Sequence, residues 1–340
     1  MKKVGLLLIN LGSPAAPTPA AVGAYLREFL MDEKVIDVPA ALRWLLVHGV
    51  IVPRRKHQSA GLYRNIWMVD EGAPLLFHTR ALAEALRPRL RDSYVVEIGM
   101  RYGRPSIAEG MSKLLAADVA RILAVPLYPQ YAESSYETAA IAARAAAGEQ
   151  GCADRLAFLP PFYDRPEFIA ACAIRVREHR TEFAPDHLVF SYHSLPERHI
   201  RRLDATRRHC LRRADCCEEI RDVNRSCYRA HCVATTRAIA RELGLSQEAY
   251  SLSFQSRLGR AAWLGPQTED LLRELAARGI RRVSVACPSF TADCLETLEE
   301  IGERARRVFL DAGGHELRLV PALNDHPAWV EALALFLLNT

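Results

Sequence analysis

His193 closes a run, Leu188 to Tyr192, whose residues are apolar, aromatic, β-branched or small and read as a fully buried strand. Ser194, Leu195 and Pro196 follow and cannot prolong a ladder. An imidazole at the carboxyl end of a buried parallel strand sits where open α/β sheets place their chemistry; a single histidine is more often packed or merely exposed. Far downstream, the apolar run 281–287 leads into SFTADCLETLEEIGE, where Asp293, Glu296 and Glu300 are spaced i, i+3 and i+7. On a helix these acids lie within about 60° of one face. On an exposed face they would simply be solvated near a helix N-terminus. Phe290 and the buried strand before them favour a cleft instead. There, crowded carboxylates opposite an imidazole can bind a divalent cation or move protons.

A second reactive set is the cysteines. Cys210, Cys216, Cys217, Cys227 and Cys232, five of nine in the chain, fall within 23 residues, flanked by Arg, Asp and Glu rather than core residues. Disulfides are not expected in a reducing compartment. Zinc is open, but the spacings match no common zinc template. Cys152, Cys172, Cys287 and Cys294 stand apart at apolar positions and read as buried thiols. Just upstream, residues 198–213 carry seven arginines, which read as a solvated face or as a patch that docks a membrane surface or partner.

The elements that must position these groups alternate along the chain. Strands are expected at 4–9, 94–99, 120–127, 155–159, 188–192, 250–255, 281–287 and 317–320. Helices fill 19–31, 77–90, 105–117, 134–148, 165–181, 229–243, 267–278, 291–310 and 327–338. Residues 39–52 are apolar nearly all round, a buried helix or a lip exposed to a greasy ligand, and PRRKHQSAGLYRNIW reads as a polar loop. The rhythm gives βαβ units and parallel sheets in two doubly wound domains with a cleft between them. The expected division is 1–160 and 161–324, with a cysteine-rich insert at 205–232 and a closing helix 325–340 that packs back on the first domain. Neither GxGxxG nor a P-loop is present.

At 340 residues two domains are expected. The net charge of +5 is mild; it gives no argument for nucleic acid and suits an acidic ligand or anionic lipid. The short apolar start, Val4 to Ile9, runs into Asn10, Gly12 and Pro14, so it reads as a strand rather than a signal peptide, and a cytoplasmic protein is expected. No stretch approaches the roughly 18 apolar residues of a membrane span.

INLGSP (9–14), GMRYGRPSI (99–107), PLYPQY (126–131), SYHSLPER (191–198), FQSRLGRAAWLGPQT (254–268) and DCLETLEEI (293–301), with VPALND near residue 324, together resemble ferrochelatase. The resemblance covers almost the whole chain. That family inserts ferrous iron into a porphyrin in the last step of haem synthesis. The resemblance implies an α/β, class II chelatase-like fold: two similar Rossmann-like domains, each a four-stranded parallel sheet flanked by helices, with porphyrin in the cleft. It carries the essential histidine onto His193 and the essential glutamate onto Glu296, with Fe²⁺ as their metal. Asp293 and Glu300 match an acidic relay on a helix that holds a π-type turn. Arg101, Tyr102 and Trp263 match the pocket, and Leu11, Tyr63 and Arg54 or Arg55 its greasy lip and polar edge. Taken singly, Tyr63 and Trp67 read as core packing.

The residue types agree with metal insertion. A flat apolar ring needs hydrophobic walls, and iron that must be released suits imidazole and carboxylate better than thiolate. The cysteine insert is similar to the internal segment on which some bacterial ferrochelatases carry a [2Fe–2S] cluster, which takes four thiolates and leaves one spare. The product being protohaem, contact with the inner face of the membrane or with a haem-pathway protein is implied. A coproporphyrin chelatase, or a non-catalytic iron–sulfur sensor or porphyrin carrier, stand as alternatives. Monomer and homodimer are equally open.

Overall fold

The computed structural model describes residues 2–90, 93–257 and 261–338; Leu258, Gly259 and Arg260 of the FQSRLGRAAWLGPQT stretch lie outside the described residues. Eight strands make two sheets of four, parallel throughout. The first holds β1 (Val4–Asn10), β2 (Tyr94–Met100), β3 (Arg121–Pro126) and β4 (Leu156–Phe158) in the order β2-β1-β3-β4. The second holds β5 (His187–His193), β6 (Tyr250–Gln255), β7 (Arg282–Ala286) and β8 (Glu316–Leu319) in the order β6-β5-β7-β8. Each half thus repeats one arrangement, its leading strand flanked by the next two. The chain divides into two compact units. One comprises Met1–Tyr128, Glu133–Pro160 and the chain from Leu337; the other comprises Pro129–Ala132 and Pro161–Phe336.

The leading strands show why these sheets form. VGLLLIN does not alternate, and from Gly5 to Asn10 every residue is buried, as expected when helices cover both faces. In the first unit Leu7, Met111, Leu114, Val119 and Ile122 share one core with the small Ala139 and Ala143. In the second, Val189, Leu272, Leu275, Val283, Val285 and Phe309 do the same. Each fully buried leucine contributes about 2 kcal/mol. The helix Ile107–Ala116 starts at a capping box: Ser106 accepts from the Glu109 N–H at 3.1 Å, and Glu109 accepts from the Ser106 N–H at 2.6 Å.

Two expectations are corrected. Residues expected as a polar loop form the helix Val52–Ile66, with Pro in its first turn and Val52, Ala60 and Tyr63 buried along one face. The acidic helix does not begin at 291. It starts at Leu295 behind an extended Cys294, widens into a π turn over Glu300–Ala305, and returns to α geometry at Arg306–Asp311. Within the second unit the closing helix, Pro327–Leu338, stacks Trp329 on Phe162 and sets it edge-on to Phe168. Only its end joins the first unit, where the Leu337 carbonyl accepts from the Tyr94 hydroxyl at 3.0 Å.

Candidate active site

In the second unit the site is assembled at the carboxyl end of β5. His193 pairs in register with Gln255 on β6, and the Ser194 N–H continues the ladder to the Gln255 carbonyl at 2.7 Å. The His193 Nδ1 lies 2.6 Å from the Ser194 carbonyl. A carbonyl only accepts, so Nδ1 carries a proton, and in the neutral imidazole the lone pair is on Nε2. Phe290 stands beside the imidazole, ring centres 6.4 Å apart. The segment after β6 runs back along the turn beyond β5: Glu197 donates to the Ala262 carbonyl at 2.9 Å and Leu264 to that of Leu195 at 3.0 Å. This places Trp263 opposite Pro196. Its indole N–H is buried and has no hydrogen-bond partner among the described residues.

Glu296 sits in the first turn of the short helix Leu295–Leu298. Burial pushes its carboxyl above the usual range, nearby Glu300 adds to this, and His193 partly opposes it. The buried Cys294 thiol hydrogen-bonds to it. A carboxyl that binds its proton more readily than usual, within electrostatic reach of the His193 imidazole, makes a pair able to take up protons or hold a borderline cation.

Glu300 occupies the π turn and is held differently. The Ser256 hydroxyl donates to its Oε2, the Gln255 amide donates at 3.3 Å, and Arg304 lies 3.4 Å from Oε1. Ser256 adopts φ +68, a left-handed turn at the end of β6. Gln255 is oriented from behind: its Oε1 accepts from the Ser191 hydroxyl at 2.7 Å, which aims the amide nitrogen at the acidic turn. Glu300, Ser256, Glu269 and Arg304 line a cavity of about 450 Å³. Gln255 and Ser256 had no chemical signature in the sequence beyond lying in FQSR after a strand.

Asp293 does not join this row. One oxygen accepts from the Thr297 hydroxyl at 2.8 Å; the other accepts from the Asn324 amide at 2.8 Å and the Ala322 N–H at 3.2 Å. It precedes the helix N-cap, so the helical spacing that grouped it with Glu296 does not apply. Its task is to fasten the loop after β8.

The remaining predicted pocket residues lie in the first unit. Leu11, half-buried, follows β1, and its carbonyl accepts from the Tyr102 N–H at 2.9 Å. Gly12 beside it has φ +106, and a Cβ there would stand 1.8 Å from the Tyr102 carbonyl, so only glycine fits. Arg101 and Tyr102 are not open pocket groups. Tyr102 is fully buried, and its hydroxyl donates to Asp32 at 2.9 Å. Arg101 pairs with Asp32 at 2.5 Å and donates to Thr138 at 2.8 Å, and the Thr138 hydroxyl also donates to Asp32. Asp32 and Thr138 were not singled out in the sequence; nothing in their spacing marks them. Tyr63 is buried beside Trp67. Arg54 and Arg55 are exposed on the same helix. On the short helix Ala40–Leu45, Leu42, Trp44 and Leu45 are 46%, 56% and 57% exposed, while Val47 anchors the following turn against Leu30 and Val52. The segment is therefore exposed and not a buried helix.

The cysteine segment folds around buried polar anchors. The Asp204 carboxylate accepts from the N–H groups of Thr206, His209 and Cys210 at 3.0, 2.8 and 2.9 Å. The Asn224 amide donates to the Cys216 carbonyl at 2.9 Å. All five thiols are buried. Cys216 and Cys217 have sulfurs 3.7 Å apart; Cys217 hydrogen-bonds to Cys227, and Cys227 to Cys210. Arg229 donates to the Cys217 sulfur at 3.1 Å. Cys232 hydrogen-bonds instead to the Tyr228 hydroxyl. Among the described residues no three His, Cys, Asp or Glu side chains are placed to hold a single metal ion.

Two parallel sheets, each with motif residues at its carboxyl ends, define a chelatase-like fold. It is similar to SirB from Bacillus subtilis, solved with Fe³⁺, at a TM-score of 0.54 and 13% identity, covering 99% of this chain and 95% of that one. It is also similar to CbiX, the terminal enzyme for biosynthesis of siroheme in denitrifying bacteria, at a TM-score of 0.50 and 12% identity, over 100% and 99% of the two chains. Sequence goes further. The ferrochelatase family model matches residues 3–339. Ferrochelatase of Coxiella burnetii (strain Dugway 5J108-111) is 45% identical over 98% of this chain and 92% of its own. That of Azotobacter vinelandii is 48% identical over 97% and 96%. The chain belongs to the ferrochelatase family.

Proposed function

We propose that the protein inserts ferrous iron into protoporphyrin IX to give protohaem, with His193 and Glu296 as the reacting pair. The observation that carries the assignment is the contact of His193 Nδ1 with the Ser194 carbonyl. It commits Nδ1, so that in the neutral ring the nitrogen able to accept a proton beside Glu296 is Nε2. Insertion removes two pyrrole protons as one Fe²⁺ enters. His193 Nε2 accepts from the ring, and Glu296 receives protons or holds the incoming cation. Glu300, held by Ser256 and Arg304, continues the path toward the cavity at Glu269. Trp263, beside the turn that follows His193, supplies an apolar contact to the ring. The exposed Leu42, Trp44 and Leu45 form a greasy lip for an apolar substrate at the inner face of the membrane. Among the described residues no helix is long and apolar enough to cross one.

The test is metalation of protoporphyrin and of coproporphyrin by the purified protein, followed by loss of porphyrin fluorescence on adding Fe²⁺ or Zn²⁺. Faster turnover of protoporphyrin, abolished in His193→Ala, is expected. Normal turnover in that variant would end the assignment.

The cysteine segment fits a [2Fe–2S] cluster, which binds through two thiolates on each of two irons and so needs no triad around one ion. Cys210, Cys216, Cys217 and Cys227 form one run of sulfur contacts, and Cys232 is the spare. When bound, the cluster would supply a structural or iron-sensing role. Arg229 would neutralise part of its thiolate charge.

A further inference from the structure

Of the seven arginines between residues 198 and 213, the chemistry above uses none, and their placement is not that of a uniform solvated face. Arg201, Arg212 and Arg213 line a single recess of about 400 Å³ together with Arg229, which reaches it from the helix Tyr228–Glu242. Leu264 contributes an apolar wall and Glu197 the one acid in the lining. Arg201 pairs with Glu197 at 2.6 Å, and Arg213 makes a two-pronged pair with Asp215, both contacts 2.9 Å. Arg212 makes no ion pair among the described residues and is exposed. Arg229 donates to the Cys217 sulfur and has no carboxylate partner among the described residues. Four guanidinium groups therefore line one concavity whose lining holds a single carboxylate, Glu197, and neither Arg212 nor Arg229 has a carboxylate partner among the described residues.

Like charges converge this way at a cost that an anion removes. Guanidinium forks match phosphate and carboxylate oxygens in pairs, and a concave wall focuses the field. The recess is larger than one oxyanion needs and opens to solvent, so a small soluble anion can enter it. We propose that it binds a small polyvalent oxyanion, a molecule with two or more phosphate or carboxylate groups, held by Arg212 and Arg213 on one side and Arg229 on the other. Neither His193 nor Glu296 lines the recess, and anion binding there does not depend on the porphyrin chemistry.

Inorganic pyrophosphate is the probe, titrated calorimetrically into the full-length protein at low ionic strength. The expected result is saturable one-to-one binding, weakened at least ten-fold in the Arg212→Gln, Arg213→Gln double variant, with unchanged circular dichroism and thermal midpoint. Arg229 is kept, because its loss would also disturb the thiols. Arg212→Gln alone, at an exposed side chain with no ion pair, serves if the double variant misfolds, and should weaken binding several-fold. Vesicles of phosphatidylglycerol form the second arm: binding to vesicles without binding of free pyrophosphate would overturn the recess in favour of a lipid-facing surface. Absence of pyrophosphate binding to the unaltered protein, or equal binding by the variants, would overturn it outright.

Discussion

The side-chain amide of Gln255 donates to the backbone carbonyl of Glu296 at 2.7 Å. It ties the end of β6 to the helix that carries the acidic row, just before the helix widens into its π turn. Because the same amide reaches Glu300 at 3.3 Å, one side chain sets the spacing of both carboxylates. A positioning residue of this kind acts through others, so its loss should change how the acids work more than whether the chain folds.

Gln255→Leu should lower kcat for metalation by about ten-fold or more with a small change in porphyrin KM, since it leaves the Glu296 carbonyl unpartnered and Glu300 free to turn. Gln255→Glu, which offers no donor at that position when ionised, should not restore the rate. Steady-state kinetics with Zn²⁺ and protoporphyrin reads both; a pure KM effect would contradict the positioning role.

Glu296→Gln keeps the shape of the side chain and removes its charge. It should reduce kcat by about 10² to 10⁴, the span of a lost acid–base group, and leave the far-UV spectrum unchanged. Asp293→Asn should behave in the opposite way. Its oxygens fasten Thr297, Ala322 and Asn324, so the urea midpoint should fall while the surviving folded protein metalates porphyrin normally.

Asp32 gives a pH signature. Burial pushes its carboxyl up, but hydrogen bonds from Thr138, the Lys34 N–H and Tyr102, with the charge of Arg101, outweigh this and hold it below the usual range. Its folded pKa is thus below the unfolded value of about 3.9. The stabilisation is complete above that value and is lost as pH falls through the folded pKa. Asp32→Asn should cost about 3 kcal/mol near neutral pH, the scale of breaking a buried ion pair. The gap to the unaltered protein should narrow in urea melts taken below pH 4.

For the cysteines, single Ser replacements at 210, 216, 217 or 227 should abolish the visible absorbance of anaerobically purified protein, and Cys232→Ser should retain it. Chelation of the iron should abolish it in both the unaltered protein and Cys232→Ser. Loss of absorbance in Cys232→Ser alone would reassign the spare thiol.

The sequence by itself determined the repeated strand–helix order and so the two parallel sheets. It put His193 at a strand end and assembled the motifs that mark the family. These are properties of local apolar pattern and of residue identity, which need no partner from elsewhere in the chain. It did not determine which acids act together. Asp293, Glu296 and Glu300 share a helical spacing, but the helix starts only at Leu295 and widens at Glu300, and loop contacts to Asn324 draw Asp293 away. Arg101 and Tyr102 read as pocket residues until Asp32 and Thr138, distant in sequence, claim their polar ends. Likewise the polar residues 53–67 hide a helix because only three of its positions, Val52, Ala60 and Tyr63, are buried. Which side chain meets which is set by contacts far apart along the chain, and those exist only once the sheets have formed.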